Sequence, residues 1–405
     1  MKFMDLVNRY DRAIWIRVIG TILTTVTSFA IRPFLAIYLY DKTGSVYYAG
    51  LILGLAPLMG ILTNLLGGGF ADKYGRKPVM VLSLLFQSIP MFGFIFAATP
   101  LQFCLVSMLN GMASSLFFPA ANAQIADIVP EQQRAEVFAL MHTALNVGAA
   151  VGPMLGLMLV SFNQQLVFFL SGISLLIYCA LVYALIPETL RKKSTGTAVR
   201  QAPLRLREHK LLMGLTALAL PVTLLYSQVE ANFPIYLRGN FDNYLTIFTG
   251  MMTMNGTIVV LSAVWLAKRT ENMFTPNVLL VGYLLFATVG IGYGFGPLLK
   301  SIPLLFAAEF IFTVAECITF PNQQKMISLI APPEMRGRYF SLFGLNWGLA
   351  KSVGPLLGGL VLTRINGLSL FLFLALLLIL AGLILHRLTS GKVMVLQPSP
   401  AQTSK

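Results

Sequence analysis

Long apolar stretches, each near the roughly 20 residues that a bilayer-crossing helix needs, recur along the chain with short polar breaks between them. Walking the sequence with that ruler predicts twelve spans, at about 14–38, 47–70, 79–98, 101–124, 137–159, 166–186, 211–237, 244–267, 276–297, 303–327, 339–362 and 367–386. The breaks are rich in Pro, Gly, Asn and charge, as turns between helices are. The longest inner break, IPETLRKKSTGTAVRQAPLRLREHK, divides the spans six and six. The expected organisation is a six-helix bundle over 1–186, a cytoplasmic linker over 187–210, a second six-helix bundle over 211–390 and a disordered cytoplasmic tail over 391–405.

The halves also resemble each other. FPAANAQIADIVPEQQRAEVFAL from Phe118 aligns with FPNQQKMISLIAPPEMRGRYFSL from Phe320 at an offset of 202, pairing Pro119 with Pro321, Arg134 with Arg336 and Phe138 with Phe340. The same register places Gly152-Pro153-Met154-Leu155-Gly156 on Gly354-Pro355-Leu356-Leu357-Gly358. A duplicated six-helix unit is a transporter architecture, in which two bundles rock about a site at the bilayer midplane. The predicted fold class is an all-α integral membrane protein, its twelve transmembrane helices forming two pseudo-symmetric six-helix bundles around a central cavity.

Composition agrees: 57% of the 405 residues are hydrophobic and 11% are charged, against about 25% charged in a soluble domain. The net charge of +14 would suggest nucleic acid in a soluble protein, but its placement gives another reading. With both termini inside, 23 of the 29 Lys and Arg fall on the cytoplasmic side, Arg17 among them, 4 fall outside and 2 lie within spans. That is the positive-inside pattern, so no nucleic-acid partner is expected. Cys104, Cys179 and Cys317 sit in apolar stretches and offer neither disulfide framework nor metal pair. The N-terminal stretch shows no cleavable signal pattern. No P-loop, zinc-protease, nucleophile-elbow or Cys/His metal motif is present, so the expectation is a non-enzyme without cofactor or metal.

The turn after the second span, GGFADKYGRKPVM from Gly68, resembles the signature loop of the major facilitator superfamily. Gly68, Asp72, Gly75, Arg76 and Lys77 fall in place; Phe70 and Lys73 depart from the pattern. The resemblance implies a conformational latch in which Asp72 faces the start of the eleventh span and Arg76 pairs an acid at the end of the fourth, here Asp127. Gly148, Gly152, Pro153 and Gly156 of the fifth span resemble the superfamily's antiporter motif, with Leu157 where a glycine is usual. That motif implies export by antiport. A third pattern, in the fourth span, is half present: Asn110 and Gly111 fit, while Ser107 stands where an Arg is expected.

Charged residues inside spans are costly and functional by default. There are five: Arg32, Glu230, Glu309, Glu316 and Lys351. Glu309, Thr313 and Glu316 share a helix face, as do Thr21, Thr25, Ser28 and Arg32. The resemblance implies that the first, fourth, seventh and tenth spans line the cavity, with Phe34, Tyr38, Phe117, Phe118, Tyr226, Phe233 and Tyr236 as apolar lining and Met251, Met252 and Met254 on the eighth. Carboxyl groups able to load and release a proton are what coupling to a proton gradient requires. Glu230 or Glu316 is the expected proton carrier, with Arg32 and Lys351 as switchable partners. Static pairing of Glu316 with Lys351, or Glu230 with Arg32, is the alternative, and His142 could shuttle protons or simply bond an interface.

The resulting expectation is a proton-coupled exporter of small lipophilic or cationic compounds, a monomer in a bacterial inner membrane with both termini cytoplasmic. Its partners are small-molecule substrate, protons and the lipid bilayer. A carrier of one metabolite, sugar or lipid is the alternative.

Overall fold

A computed structural model describes residues 10–67, 70–189, 209–332 and 335–396, and among these every regular element is helical. The chain divides into two compact units, Met1–Arg200 and Gln201–Lys405.

The first unit holds α1 (Arg12–Thr43), α2 (Val46–Gly67), the short α3 (Phe70–Tyr74), α4 (Arg76–Phe96), α5 (Pro100–Ile128), α6 (Glu131–Phe162) and α7 (Leu166–Leu185). Local chemistry sets the ends. The Asp11 carboxylate accepts from the Ala13 amide at 2.7 Å, while Gly44, at φ 65°, closes α1 in the left-handed region with its N–H on the Tyr40 carbonyl. α5 begins with a capping box between Thr99 and Gln102 and a Pro in its first turn. The core gathers Tyr38, Phe94, Phe103 and Phe168, and the Tyr38 hydroxyl donates to the Phe94 carbonyl at 2.7 Å.

The second unit holds α8 (Lys210–Ala231), the short α9 (Phe233–Arg238), α10 (Tyr244–Glu271), α11 (Thr275–Leu298), α12 (Ile302–Ile330), α13 (Arg336–Arg364) and α14 (Gly367–Leu396). Its core centres on Phe233, Phe248, Phe286, Tyr293 and Phe371. Six long helices thus occur in each unit among the described residues, one for each predicted span.

Three boundaries differ from expectation. The span predicted over 211–237 breaks at Asn232, because Pro234 cannot carry the helical hydrogen bond onward. The signature turn contains the one-turn helix α3. α14 runs through Gly391 to Leu396, past the boundary at residue 390 that composition predicts; residues 397–405 and 190–208 lie outside the described residues. Eleven of the long helices are apolar enough to cross a bilayer by length and composition. The other is α13, where Asn346, Lys351 and repeated glycines dilute an otherwise sufficient length of 29 residues.

Candidate functional site

Three polar constellations stand on these helices. The first is the signature turn. Arg76 and Asp127, separated by 51 positions, meet with Nε 3.3 Å from Oδ2. The pair is partly exposed and contributes little to stability; its interest is that it joins α4 to the end of α5. Sequence reasoning missed Glu188. From the loop after α7, its carboxylate accepts the backbone N–H groups of Arg76 at 3.0 Å and Lys77 at 3.1 Å, satisfying orphan donors of the first turn of α4 and opposing its dipole. Thr189 donates to Asp127 at 3.1 Å. Gly75 lies at φ 109°, and a Cβ there would sit 2.5 Å from the Glu188 carboxylate, so both backbone and neighbour demand glycine. Replacing Glu188 with Ala is expected to cost about 1 kcal/mol of first-unit stability, read as a lower melting temperature with Arg76 and Asp127 intact; an unchanged melt would discard the cap. Gly68, the side chain of Asp72 and the side chain of His142 lie outside the described residues.

The second constellation is the α1–α6 seam of the first unit, where the antiporter-like glycines lie. A Cβ on Gly148 would fall 2.3 Å from Thr25 Oγ1, one on Gly152 2.8 Å from the Val26 carbonyl, and one on Gly156 2.3 Å from the Ala30 carbonyl. Small residues every fourth position therefore let the two backbones touch, with Pro153 inside α6. Thr25, on the polar face it shares with Thr21, Ser28 and Arg32, is packed into this seam. Arg32 is exposed, its guanidinium over the Phe29 ring at 4.2 Å. Asn110 keeps a buried side-chain oxygen without a hydrogen-bond partner among the described residues. Ser107, in the place of the expected Arg, donates to the Ile52 carbonyl at 2.6 Å and ties α5 to α2.

The third lies in the second unit. Lys351 on α13 places its ammonium 3.0 and 3.3 Å from the two carboxylate oxygens of Glu230 on α8. Both side chains are partly exposed, 31% and 39%. Of the pairings weighed from sequence, the one between Glu316 and Lys351 does not form: Glu316 instead accepts from the Asn255 amide at 3.1 Å, and that amide also donates to Thr313 at 3.0 Å. Glu309 is fully buried and takes a hydrogen bond from the Tyr293 hydroxyl, while its other oxygen has no partner among the described residues. Beside the Glu230–Lys351 pair, the Gly354-Pro355 segment of α13 is clasped by amides. Gln228 donates to the Gly354 carbonyl at 2.8 Å and Asn232 to the Pro355 carbonyl at 3.1 Å.

Several apolar residues expected to line a cavity are core instead: Phe34, Tyr38, Phe233 and Met251 are at most 4% exposed. Their aromatic or thioether bulk packs the bundle interior, which hydrophobicity alone does not distinguish from a cavity wall. Arg17, assigned by its position to the cytoplasmic flank, is 3% exposed. Its guanidinium donates to the Ala121 carbonyl at 2.8 Å and lies over the Phe117 ring, so a neutral carbonyl and a π face accommodate the charge.

Two duplicated six-helix units, with charges held inside their long apolar helices, define a membrane transporter. The sequence profile of the Major Facilitator Superfamily matches residues 18–315 and 275–402. The MFS-type transporter YhjO of Bacillus subtilis is 32% identical over 383 residues, covering 94% of each chain. The chain is 29% identical to a Na(+), Li(+), K(+)/H(+) antiporter of Planococcus maritimus, covering 88% of this chain and 90% of that one. It is 26% identical to the multidrug resistance protein MdtH of Aeromonas salmonicida, covering 85% and 86%. Among solved structures, a POT family transporter in complex with a thioalcohol-conjugated peptide superposes with a TM-score of 0.77 at 15% identity, covering 94% and 96% of the two chains. A bacterial homologue of the human lysosomal transporter Spinster gives 0.75 at 16% identity, covering 96% and 98%; both likenesses concern the fold. The chain belongs to the major facilitator superfamily and is a multi-pass membrane transporter.

Proposed function

We propose that the chain is a proton-coupled exporter of small lipophilic or cationic compounds, working by alternating access as a monomer in the cell membrane with both termini cytoplasmic. The observation that carries this reading is the Glu230–Lys351 pair, a titratable carboxylate and its counter-charge held on the long helices α8 and α13 and partly exposed. The antiporter-like glycines of α6 and the likeness to MdtH support the direction of transport. In this reading Glu230 binds either a proton, releasing Lys351, or a cationic substrate. The signature turn, with Asp72, Arg76, Lys77 and Asp127, is the latch of one conformational state, and Glu188 positions it. Glu309, Glu316, Asn110 and Arg32 complete the coupling and substrate groups, and the two bundles are joined by the linker over 187–210.

A second reading, exchange of a monovalent metal cation for protons, is favoured by the likeness to the Planococcus antiporter. The test is proton release in everted membrane vesicles that carry the protein and have been acidified inside by respiration. Ethidium should collapse the gradient in vesicles with the protein and leave control vesicles unchanged. A response to Na+, K+ or Li+ alone would select the second reading. Silence toward all four would remove both and leave a carrier of a specific metabolite, sugar or lipid.

A further inference from the structure

The antiporter-like seam has a counterpart in the second unit, and the differences between the two are informative. Gly152 and Gly156 approach α1 at Val26 and Ala30; their repeats approach α8, Gly354 at Ser227 and Gln228 and Gly358 at Gln228 and Asn232. The offset of 202 that relates these positions also relates Ser28 to Glu230, Ala149 to Lys351, Thr24 to Tyr226 and Leu145 to Trp347. The first unit packs this helix pair without any of the four second-unit residues. Packing alone therefore does not call for a carboxylate, an ammonium, a phenol and an indole at those places.

In the second unit Lys351 meets both Glu230 and Trp347, and Trp347 packs against Tyr226. Trp347 and Tyr226 lie one helical turn before Lys351 and Glu230 on their respective helices. The Lys351 ammonium stands 5.8 Å from the Trp347 ring and bridges both oxygens of Glu230. Trp347 packs with Tyr226 at 5.3 Å and with Phe320 at 5.4 Å, and Tyr226 with Phe320 at 5.4 Å. A carboxylate beside a supported aromatic face is the chemistry that recognises an organic cation. Here the cation present is the protein's own. Both charged side chains keep partial exposure, so the pair is not sealed off, and a cation that reaches the carboxylate competes directly with the ammonium.

We propose that Glu230 and Trp347, its indole packed against Tyr226, form a subsite for a monovalent organic cation and that Lys351 is a tethered competitor occupying it, setting the affinity for charged substrates. This assignment rests on the proposed export of cationic compounds and specifies where the charge of such a compound binds. A site filled by its own cation for most of the time shows an apparent affinity reduced by the fraction left open. Removing the competitor therefore tightens charged ligands and leaves neutral ones unchanged.

The experiment is calorimetric titration of the purified full chain in lipid nanodiscs with tetraphenylphosphonium and, as a neutral probe of similar shape, triphenylphosphine oxide. Lys351→Met is expected to tighten tetraphenylphosphonium by about tenfold or more and to leave the oxide within about twofold. Lys351→Arg, which keeps a tethered cation, should behave as the wild type. No tightening in Lys351→Met, or equal tightening of both probes, overturns the proposal. If Lys351→Met does not fold, Trp347→Leu decides: selective weakening of the cation, by about fivefold, supports the subsite, and equal or no weakening of the two probes overturns it. Proton-coupled ethidium export by the wild type, combined with an untightened Lys351→Met, would overturn the subsite and leave the export reading standing. Tightened binding without any proton-coupled transport would do the reverse.

Discussion

Cells carrying Glu230→Gln should accumulate ethidium as cells without the transporter do, at expression equal to the wild type. Gln keeps the shape of the side chain and its place on α8 but can neither carry a proton nor neutralise the Lys351 ammonium 3.0 Å away. Coupling between two ligands is typically about 1–3 kcal/mol, roughly 5–150-fold in affinity, and losing it should lower uncoupler-sensitive efflux by at least about fivefold. The single variant also leaves a cation without this partner, so it does not by itself separate coupling from structure. The double variant Glu230→Gln/Lys351→Gln does. It removes both charges together, which proteins tolerate far better than removing one. If the pair only holds α8 to α13, the double variant regains uncoupler-sensitive efflux; if Glu230 carries the proton, the double variant is folded and inactive. Recovered uphill transport would end the carrier assignment.

The second large effect is steric. Gly111 on α5 faces α2 so closely that a Cβ would lie 2.0 Å from the Ala56 carbonyl oxygen and 2.7 Å from that residue's carbonyl carbon and Cα. These are backbone atoms, so no rotamer change relieves the clash and the helices must part. Gly111→Ala should cost about 1–3 kcal/mol, as overpacking does, and lower the melting temperature of the purified protein by several degrees. Separation would also pull Ser107 from the Ile52 carbonyl. The control is Gly344→Ala on α13, where nothing lies within 4 Å of the added methyl; there the helix should gain a few tenths of a kcal/mol from reduced backbone entropy. Equal melting temperatures for the two variants would show that α2 and α5 yield freely at that contact.

Much of this was legible in the sequence because bilayer-crossing helices announce themselves by length and hydropathy, and because a duplicated chain states its repeat twice. The Arg76–Asp127 contact was reachable by another route, since the resemblance of the signature turn implies an acid at the end of the fourth span. Glu188 was not, because it stands 112 positions from Arg76 in a polar loop where one more carboxylate carries no signal. Arg17 failed differently: near a span end, a cation reads as topology, and only the fold shows α5 covering it. The Tyr293–Glu309 contact, between residues on α11 and α12, was likewise hidden, because helix periodicity gives the face of one helix and not which neighbour meets it. The break at Asn232 was marked by Pro234, yet an apolar count over 211–237 passes straight through it.

The amides that clasp the Gly354-Pro355 segment of α13 have a consequence for how the two halves can drift under mutation. A Cβ at Gly358 would fall 1.8 Å from the Gln228 side chain and 2.5 Å from that of Asn232, and each of those amides is bonded to a carbonyl of the opposite helix. No one of the three can change alone without a collision or a stranded polar group. In the first unit the corresponding glycines meet carbonyls and small or apolar side chains, so Val26 and Ala30 are free to exchange with residues of similar size. Divergence after duplication should therefore be lopsided: the first seam accepts substitutions one at a time, while the second admits them as linked sets or not at all.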